Sequence, residues 1–335
     1  MVVISGILLL FGLIKAINYY RYYLRPQFHP SQTVYVYIDR DDNMDSVCNK
    51  ILLQSVSGNV EGFRRLAKKY RYAEHIHCGR YAIQPNDNAR VLFFRLARGH
   101  QTPKNLVIGS VRTREVLARS LGKQVMADST EIVTQLYDSV FCEELGFNKE
   151  TIMSLFIPNT YQIYWTINPE DLFKRMKKEY DRFWDEERLA KAKAVNLSPA
   201  EVSVLASIVE EETNEINEKP MVAGLYINRL QKGMLLQADP TVKFALQDFE
   251  LRRITSRHLK TNSPYNTYKY KGLPPGPIRN PSIRSIDSVL NYSKHDYVYM
   301  CAKEDFSGTH NFAVNLAGHN ANAKRYQQAL NKKKI

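Results

Sequence analysis

Hydrophobic and polar positions alternate along this chain with a changing period, and the changes mark its elements. The first apolar run, VVISGILLLFGLI at positions 2–14, carries no charge. Continued through Lys15 to Tyr20, it approaches the ~20 residues that span a bilayer. Lys15 can snorkel, and Tyr19, Tyr20, Tyr22 and Tyr23 suit an interfacial belt. No positive segment precedes the run and no small-residue cleavage site follows it. An uncleaved anchor over positions 1–25 is therefore preferred to a cleaved signal peptide. Orientation by charge points the other way. Lys15, Arg21 and Arg25 all follow the run, which by the positive-inside rule alone leaves the bulk of the chain in the cytoplasm.

Positions 26–32 (PQFHPSQ) read as a proline-punctuated linker. A period of two at 33–38 (TVYVYI) predicts a strand, helical spacing follows over 44–53 and 61–70, and GRYAI at 79–83 predicts a second strand. With a closing helix over 88–98, this β-α-α-β order predicts a small α+β module over positions 33–102. A larger mixed α+β unit over 103–335 begins with an apolar stretch at 106–108, followed by helices at 112–121 and 129–136. A long charged helix is expected over 169–192, with Asn168 as its N-cap.

The most informative helix starts at Ser198-Pro199-Ala200-Glu201, where Ser at N-cap, Pro at N1 and Glu at N3 make a capping box. At ~100° per residue from Val202, the apolar positions 202, 204, 205, 206, 208 and 209 point near ~315°. Glu212 falls at ~280°, inside that stripe, whereas Glu210 and Glu211 fall at ~80° and ~180° and are expected to stay hydrated. Burial disfavours a carboxylate and raises its pKa. A carboxylic acid still protonated near neutral pH is what a glycosidic leaving group requires. Two other readings stay open: the helix ends before Glu212, or Glu212 is buried in a pair with Arg229.

A second amphipathic helix ends at Gly233, a natural C′ residue. Beyond it lie QADPTV at 237–242, SPYNTY at 263–268 and the proline-dense GLPPGPIRNPS at 272–282. Prolines at that density fix an extended loop able to hold Tyr and Asn side chains over a groove. The same residues also have ordinary turn-forming roles.

Composition adds limits. The 335 residues allow two domains, and 44% hydrophobic with 24% charged residues is ordinary for a globular protein. The net charge of +13 fits nucleic acid, an anionic membrane or an acidic polymer. Zinc-finger spacing, RNP-type aromatics and a basic region with heptads are all missing, which argues against a nucleic-acid partner. Cys48, Cys78, Cys142 and Cys301 form no CxxC pair, and the histidines lack ligand spacing, so neither a metal nor another cofactor is expected. A Cys48–Cys78 disulfide is conceivable, but four small buried thiols are the favoured reading.

Taken together, the motifs ASIVEEET (206–213), INRL (227–230), GMLLQADPTV (233–242), SPYNTY (263–268) and GLPPGPIRNPS (272–282) resemble the MltG/YceG family of endolytic murein transglycosylases. PNTY at 158–161, GTHNF at 308–312 and LAGHN at 316–320 are also similar. The resemblance implies a single-pass inner-membrane protein with its catalytic domain in the periplasm. It implies a LysM-like N-terminal module and a catalytic domain with a lysozyme-like helical part. The implied reaction cuts the MurNAc–GlcNAc bond of nascent peptidoglycan glycan strands to leave 1,6-anhydro-MurNAc ends. The implied partners are those strands and the membrane, with the peptidoglycan synthesis machinery as a further candidate. The family's glutamate falls on Glu212, as acid and then base. Gln237, Asp239, Tyr265, Asn266 and Thr267 match motif positions and are the candidates for substrate contact or its support. Asp239, preceding Pro240, reads equally well as a structural turn residue. Two positions depart from the family pattern: Val107-Ile108-Gly109-Ser110 replaces a Glu-Gly pair, and Asn159 replaces an acid. The rival functions are a non-catalytic envelope glycan-binding or scaffold protein and a cytoplasmic basic protein binding nucleic acid in a salt-dependent way.

Overall fold

The structure, a computed structural model, describes residues 2–55 and 59–333. It falls into two compact units. One comprises Met1–Leu106, Gln124–Ala127 and Tyr161–Asn168; the other comprises Val107–Lys123, Asp128–Thr160 and Pro169–Ile335.

The first unit begins with helix α1 (Val2–Tyr19), which runs into a π-helical turn at Tyr20–Leu24. The segment Val3–Leu24 is long and apolar enough to cross a membrane, and none of it is buried. Then come β1 (Val34–Ile38), α2 (Met44–Gln54), α3 (Glu61–Lys69), β2 (Gly79–Ile83) and α4 (Ala89–Ala97). β1 and β2 pair antiparallel, in register from Val34 opposite Ile83 to Ile38 opposite Gly79. Alternation turns Val36 and Ile38 onto the core, where they meet Val47 and Ile51 of α2, Phe63 of α3 and Leu92, Phe93 and Leu96 of α4. Each such side chain contributes about 1.5–3 kcal/mol by leaving water. Asn43 and Asn88 cap α2 and α4 by accepting from backbone N–H groups, as turn-forming amides do at N-caps.

The division between the units falls within β3 (Lys104–Ile108) and β4 (Asn159–Ile163), which form a two-stranded sheet. The second unit is mainly helical. It contains α5 (Arg114–Gly122), α6 (Ser129–Tyr137), α7 (Ser139–Glu144), α8 (Pro169–Phe183) and α9 (Glu186–Ala194). They are followed by α10 (Pro199–Glu212), α11 (Lys219–Gln231), α12 (Asp239–Leu246) and α13 (Ile283–Leu290). The antiparallel hairpin β5 (Tyr299–Ala302) and β6 (His310–Ala313) and the terminal helix α14 (Leu316–Lys332) complete it.

Three expectations are corrected. The single helix over 169–192 is two, because Trp184 turns into the core and Asp185 caps a new helix by accepting from the Arg188 N–H. α10 is not amphipathic: all eight residues from Val202 to Val209 are buried, since α9, α11, α12 and α13 pack around it. Its two internal serines are satisfied there, Ser203 by the Pro199 carbonyl and Ser207 by the Val204 carbonyl. Finally, the proline-rich loop does not present its Asn to a groove. Asn280 is fully buried, donates to the Gly109 and Phe156 carbonyls and accepts from the Val111 N–H, so the loop is a strut. All four cysteines are free thiols; Cys48 and Cys142 are buried and Cys78 and Cys301 half-buried, so no Cys48–Cys78 disulfide forms.

Candidate active site

The capping box read from the sequence is present. Ser198 accepts from the Glu201 N–H and the Glu201 carboxylate accepts from the Ser198 N–H, which fixes where α10 starts. Fourteen residues later the helix ends on Glu212, with Thr213 as its C-cap. The sequence therefore delivers one carboxyl group to the end of a helix locked on all sides.

Three consecutive glutamates occur there, and each meets a different surrounding. Glu211 takes a two-point bond from Arg112 at 2.7 and 2.9 Å and a further one from Arg279 at 2.8 Å. Glu210 accepts from the Ser282 N–H at 2.6 Å, with Arg279 3.8 Å away. Their side chains are each 13% exposed, so the expectation that they stay hydrated is wrong. The proline-rich strut brings Arg279 and Ser282 over the face of α10 that the helical phase assigned to water.

Glu212 opens onto a cavity of about 210 Å³, whereas Glu211 borders only a small one of about 30 Å³ beside Arg112. The Glu212 Oε1 accepts a 2.6 Å hydrogen bond from the hydroxyl of Tyr226, a buried residue of α11. Burial pushes the Glu212 carboxyl up to about 7; the bond from Tyr226 opposes this, Asp239 adds to it, and His310 and Arg229 counter it. The same burial, with the charge of Glu212, raises the Tyr226 hydroxyl well above its ordinary value, so it remains a donor.

Arg229 is not the partner of Glu212. Its guanidinium donates to the carbonyls of Val298, Leu235 and Leu236 and to Gln237 Oε1. Gln237 lies in the left-handed region at φ 52°, and its N–H donates to the Thr267 carbonyl. Asp239 opens α12 beside Pro240 and accepts from the Tyr268 hydroxyl at 2.6 Å. His310, at the start of β6, also lines the cavity. Both oxygens of the buried Glu218 carboxylate hold it: one accepts its backbone N–H at 2.6 Å and the other lies 2.9 Å from its Nδ1.

The structure thus brings Glu212, Gln237 and Asp239 to one cavity. It does not bring Tyr265, Asn266 or Thr267 there. Tyr265 packs on Phe244 and lines a different cavity with Arg112, Arg114 and Tyr137. Asn266 is fully buried, donating to the Leu259 and Thr261 carbonyls and accepting from the Tyr268 N–H. The buried Thr267 hydroxyl accepts from the Ala238 N–H and shares a bond with Thr241. These two hold the Gln237–Asp239 segment and Tyr268 in place and do not face the cavity. Sequence reasoning missed Tyr226, Tyr268 and the Glu218–His310 pair. Tyr226 lies fourteen residues after Glu212, on the next helix, and Tyr268 was within the SPYNTY motif. The pairing of positions 218 and 310 has no local signal. Among the described residues no group of three metal-ligating side chains converges.

A mixed α+β chain with an exposed apolar N-terminal helix, and a glutamate of raised pKa at the end of a buried helix facing a polar cavity, describes a class: a two-unit protein with a protonatable carboxyl at a cavity. The particular family follows from comparison. The YceG-like family model matches residues 36–325, and the chain belongs to the YceG-like family. It is 27% identical over 319 residues to the endolytic murein transglycosylase of Bacillus subtilis, covering 90% of this chain and 87% of that protein. It is 25% identical to the endolytic murein transglycosylase of Streptococcus pneumoniae serotype 2, covering 77% of this chain but 52% of that protein. The crystal structure of a yceG-like protein from Listeria monocytogenes superposes with a TM-score of 0.57 at 26% identity, covering 87% of this chain and 99% of that one.

Proposed function

We propose that this chain is an endolytic peptidoglycan lytic transglycosylase with Glu212 as its acid and base. The protonated Glu212 carboxyl gives its proton to the oxygen linking MurNAc to GlcNAc as the C1–O bond breaks. The resulting carboxylate then takes the proton of the C6 hydroxyl while O6 bonds to C1, leaving a 1,6-anhydro-MurNAc end. One carboxyl serves both steps, so the paired carboxylates of ordinary glycosidases are not needed. The observation that carries this reading is the half-buried Glu212 carboxyl itself, bonded by Tyr226, open to a cavity and raised by desolvation to about 7. Names of relatives that cover most of this chain support it. Gln237 and Asp239 contact the glycan, and Asn266 and Thr267 support them from behind.

The helical surround of α10 is the lysozyme-like part of a catalytic domain over 103–335. The βααβ order of β1, α2, α3 and β2 supports a LysM-like glycan-holding module over 33–102. Helix α1 anchors the chain as a single pass at positions 1–25 of the inner membrane, with the catalytic domain in the periplasm, where nascent strands and the synthesis machinery are met.

The test is digestion of purified uncrosslinked glycan strands with mass spectrometry of the products, for wild type and Glu212→Gln. Anhydro-muramic ends from the wild type and none from the variant are expected. Binding without cleavage by either protein, on strands that a known transglycosylase cuts, would replace the enzyme with an envelope glycan-binding scaffold.

A further inference from the structure

The reaction proposed above leaves Glu212 ionised, inside protein, between its two proton transfers. A buried carboxylate without a counter-charge is costly. Arg229 of α11 lines the same cavity as Glu212 and its charge favours the ionised form, but its donors are spent on three backbone carbonyls and Gln237 and none reaches Glu212. Asp239, which lines the same cavity from α12, adds negative charge, and the Tyr226 and Tyr268 hydroxyls are neutral donors spent on Glu212 and Asp239. From β5 the cavity receives Met300, Cys301 and Ala302, with no cation among them.

We propose, resting on that reading, that His310 is the counter-charge of Glu212: an imidazolium clamped by Glu218 that stabilises the Glu212 carboxylate each time it forms. The geometry is specific. Glu218 is 8% exposed, and its two oxygens bind the backbone N–H and the Nδ1 of the same residue, so the ring cannot turn. A carboxylate at Nδ1 fixes a proton there, on a ring that lines the cavity Glu212 shares. The bond to Glu218 raises His310 above its ordinary value against the effect of burial, and the charge of Glu212 raises it further. Burial works to raise Glu218, but the bonds from His310 outweigh it and hold that carboxyl below the usual range, as a charged pair requires. His310 acts through Glu212 and is a positioning residue; Glu218 positions it in turn.

The test is the rate of anhydro-end formation by the full chain in detergent as a function of pH, for wild type, His310→Gln and Glu218→Gln. The glutamine at 310 keeps a donor and removes the charge. It is expected to slow cleavage about tenfold and to move the alkaline limb of Glu212 up by about one pH unit, because the carboxyl becomes harder to ionise. Glu218→Gln releases His310 toward its ordinary value of 6.5 and is expected to add a step near there, down to the His310→Gln rate. A merely structural role would lower the rate without moving either limb, and a His310→Gln profile of unchanged position would overturn the proposal. NMR titration of His310 in the wild type and in Glu212→Gln decides the matter even where a 310 variant does not fold. Its midpoint is expected above 6.5 in the wild type and lower in the variant; a wild-type midpoint at or below 6.5 refutes the counter-charge. Failure of the wild type to make anhydro ends at any pH would defeat the proposed reaction. The NMR result would still report on the Glu218–His310–Glu212 coupling.

Discussion

The end of α10 offers two regions for comparison within three residues. On one side Glu210 and Glu211 lie under the proline-rich strut, bonded to Ser282, Arg112 and Arg279. On the other Glu212 faces a cavity with a tyrosine hydroxyl as its direct partner. All three carboxyls are largely removed from water, so burial does not separate them. What separates them is the chemistry of the partner. Two arginines commit Glu211 to structure and a backbone N–H with Arg279 3.8 Å away holds Glu210, while a tyrosine hydroxyl and the larger cavity leave Glu212 able to exchange a proton.

The largest test of that contrast is substitution at each position. Glu212→Gln is expected to lower anhydro-end formation by roughly a thousandfold or more while leaving the fold intact. Glu211→Gln is expected to keep activity within about tenfold and to lose about 1–3 kcal/mol of stability in denaturant melts, since two arginines are left without their carboxylate. The partly exposed Arg112 keeps that loss below the fully buried range.

Next comes the support behind the cavity. Asn266→Ala removes two donated bonds and one accepted bond at a fully buried site, and is expected to cost about 2–3 kcal/mol with the position of the pH–rate limb unchanged. Tyr226→Phe removes the donor to Glu212. Turnover is expected to fall about tenfold and the alkaline limb to move upward, because the lost bond favoured the ionised form.

The smallest effect is on stability. Glu212 is raised from 4.5 to about 7 on folding, so its contribution is fully present below pH 4.5 and lost as pH rises through 7. Glu212→Gln, uncharged throughout, is expected to gain on the order of 1–2 kcal/mol over the wild type at pH 8 and nothing at pH 4, read from paired thermal melts.

Local patterns were legible in the sequence, and their limits have physical causes. The capping box at Ser198, the C′ glycine at Gly233 and the βααβ order of the first unit depend on residues close in sequence. The helical phase placed Glu212 inward correctly but placed Glu210 and Glu211 in water. A single period cannot show that a helix is surrounded, nor that Arg279 would return across it from sixty-eight residues away. The same limit explains the site. Asn266 and Thr267 sit in a motif because they fix the backbone beside Asp239, and sequence spacing does not distinguish a residue that faces a cavity from one that holds its wall. The Glu218–His310 pair joins two segments ninety-two residues apart, and only the hairpin of β5 and β6 brings them together.

The most direct measurement is titration of the Glu212 carboxyl itself, by infrared difference spectroscopy between wild type and Glu212→Gln. The expected result is a protonated carbonyl stretch that disappears with a midpoint near pH 7. A midpoint near 4.5, the ordinary value, would show that Glu212 is ionised at neutral pH and would contradict its assignment as the acid.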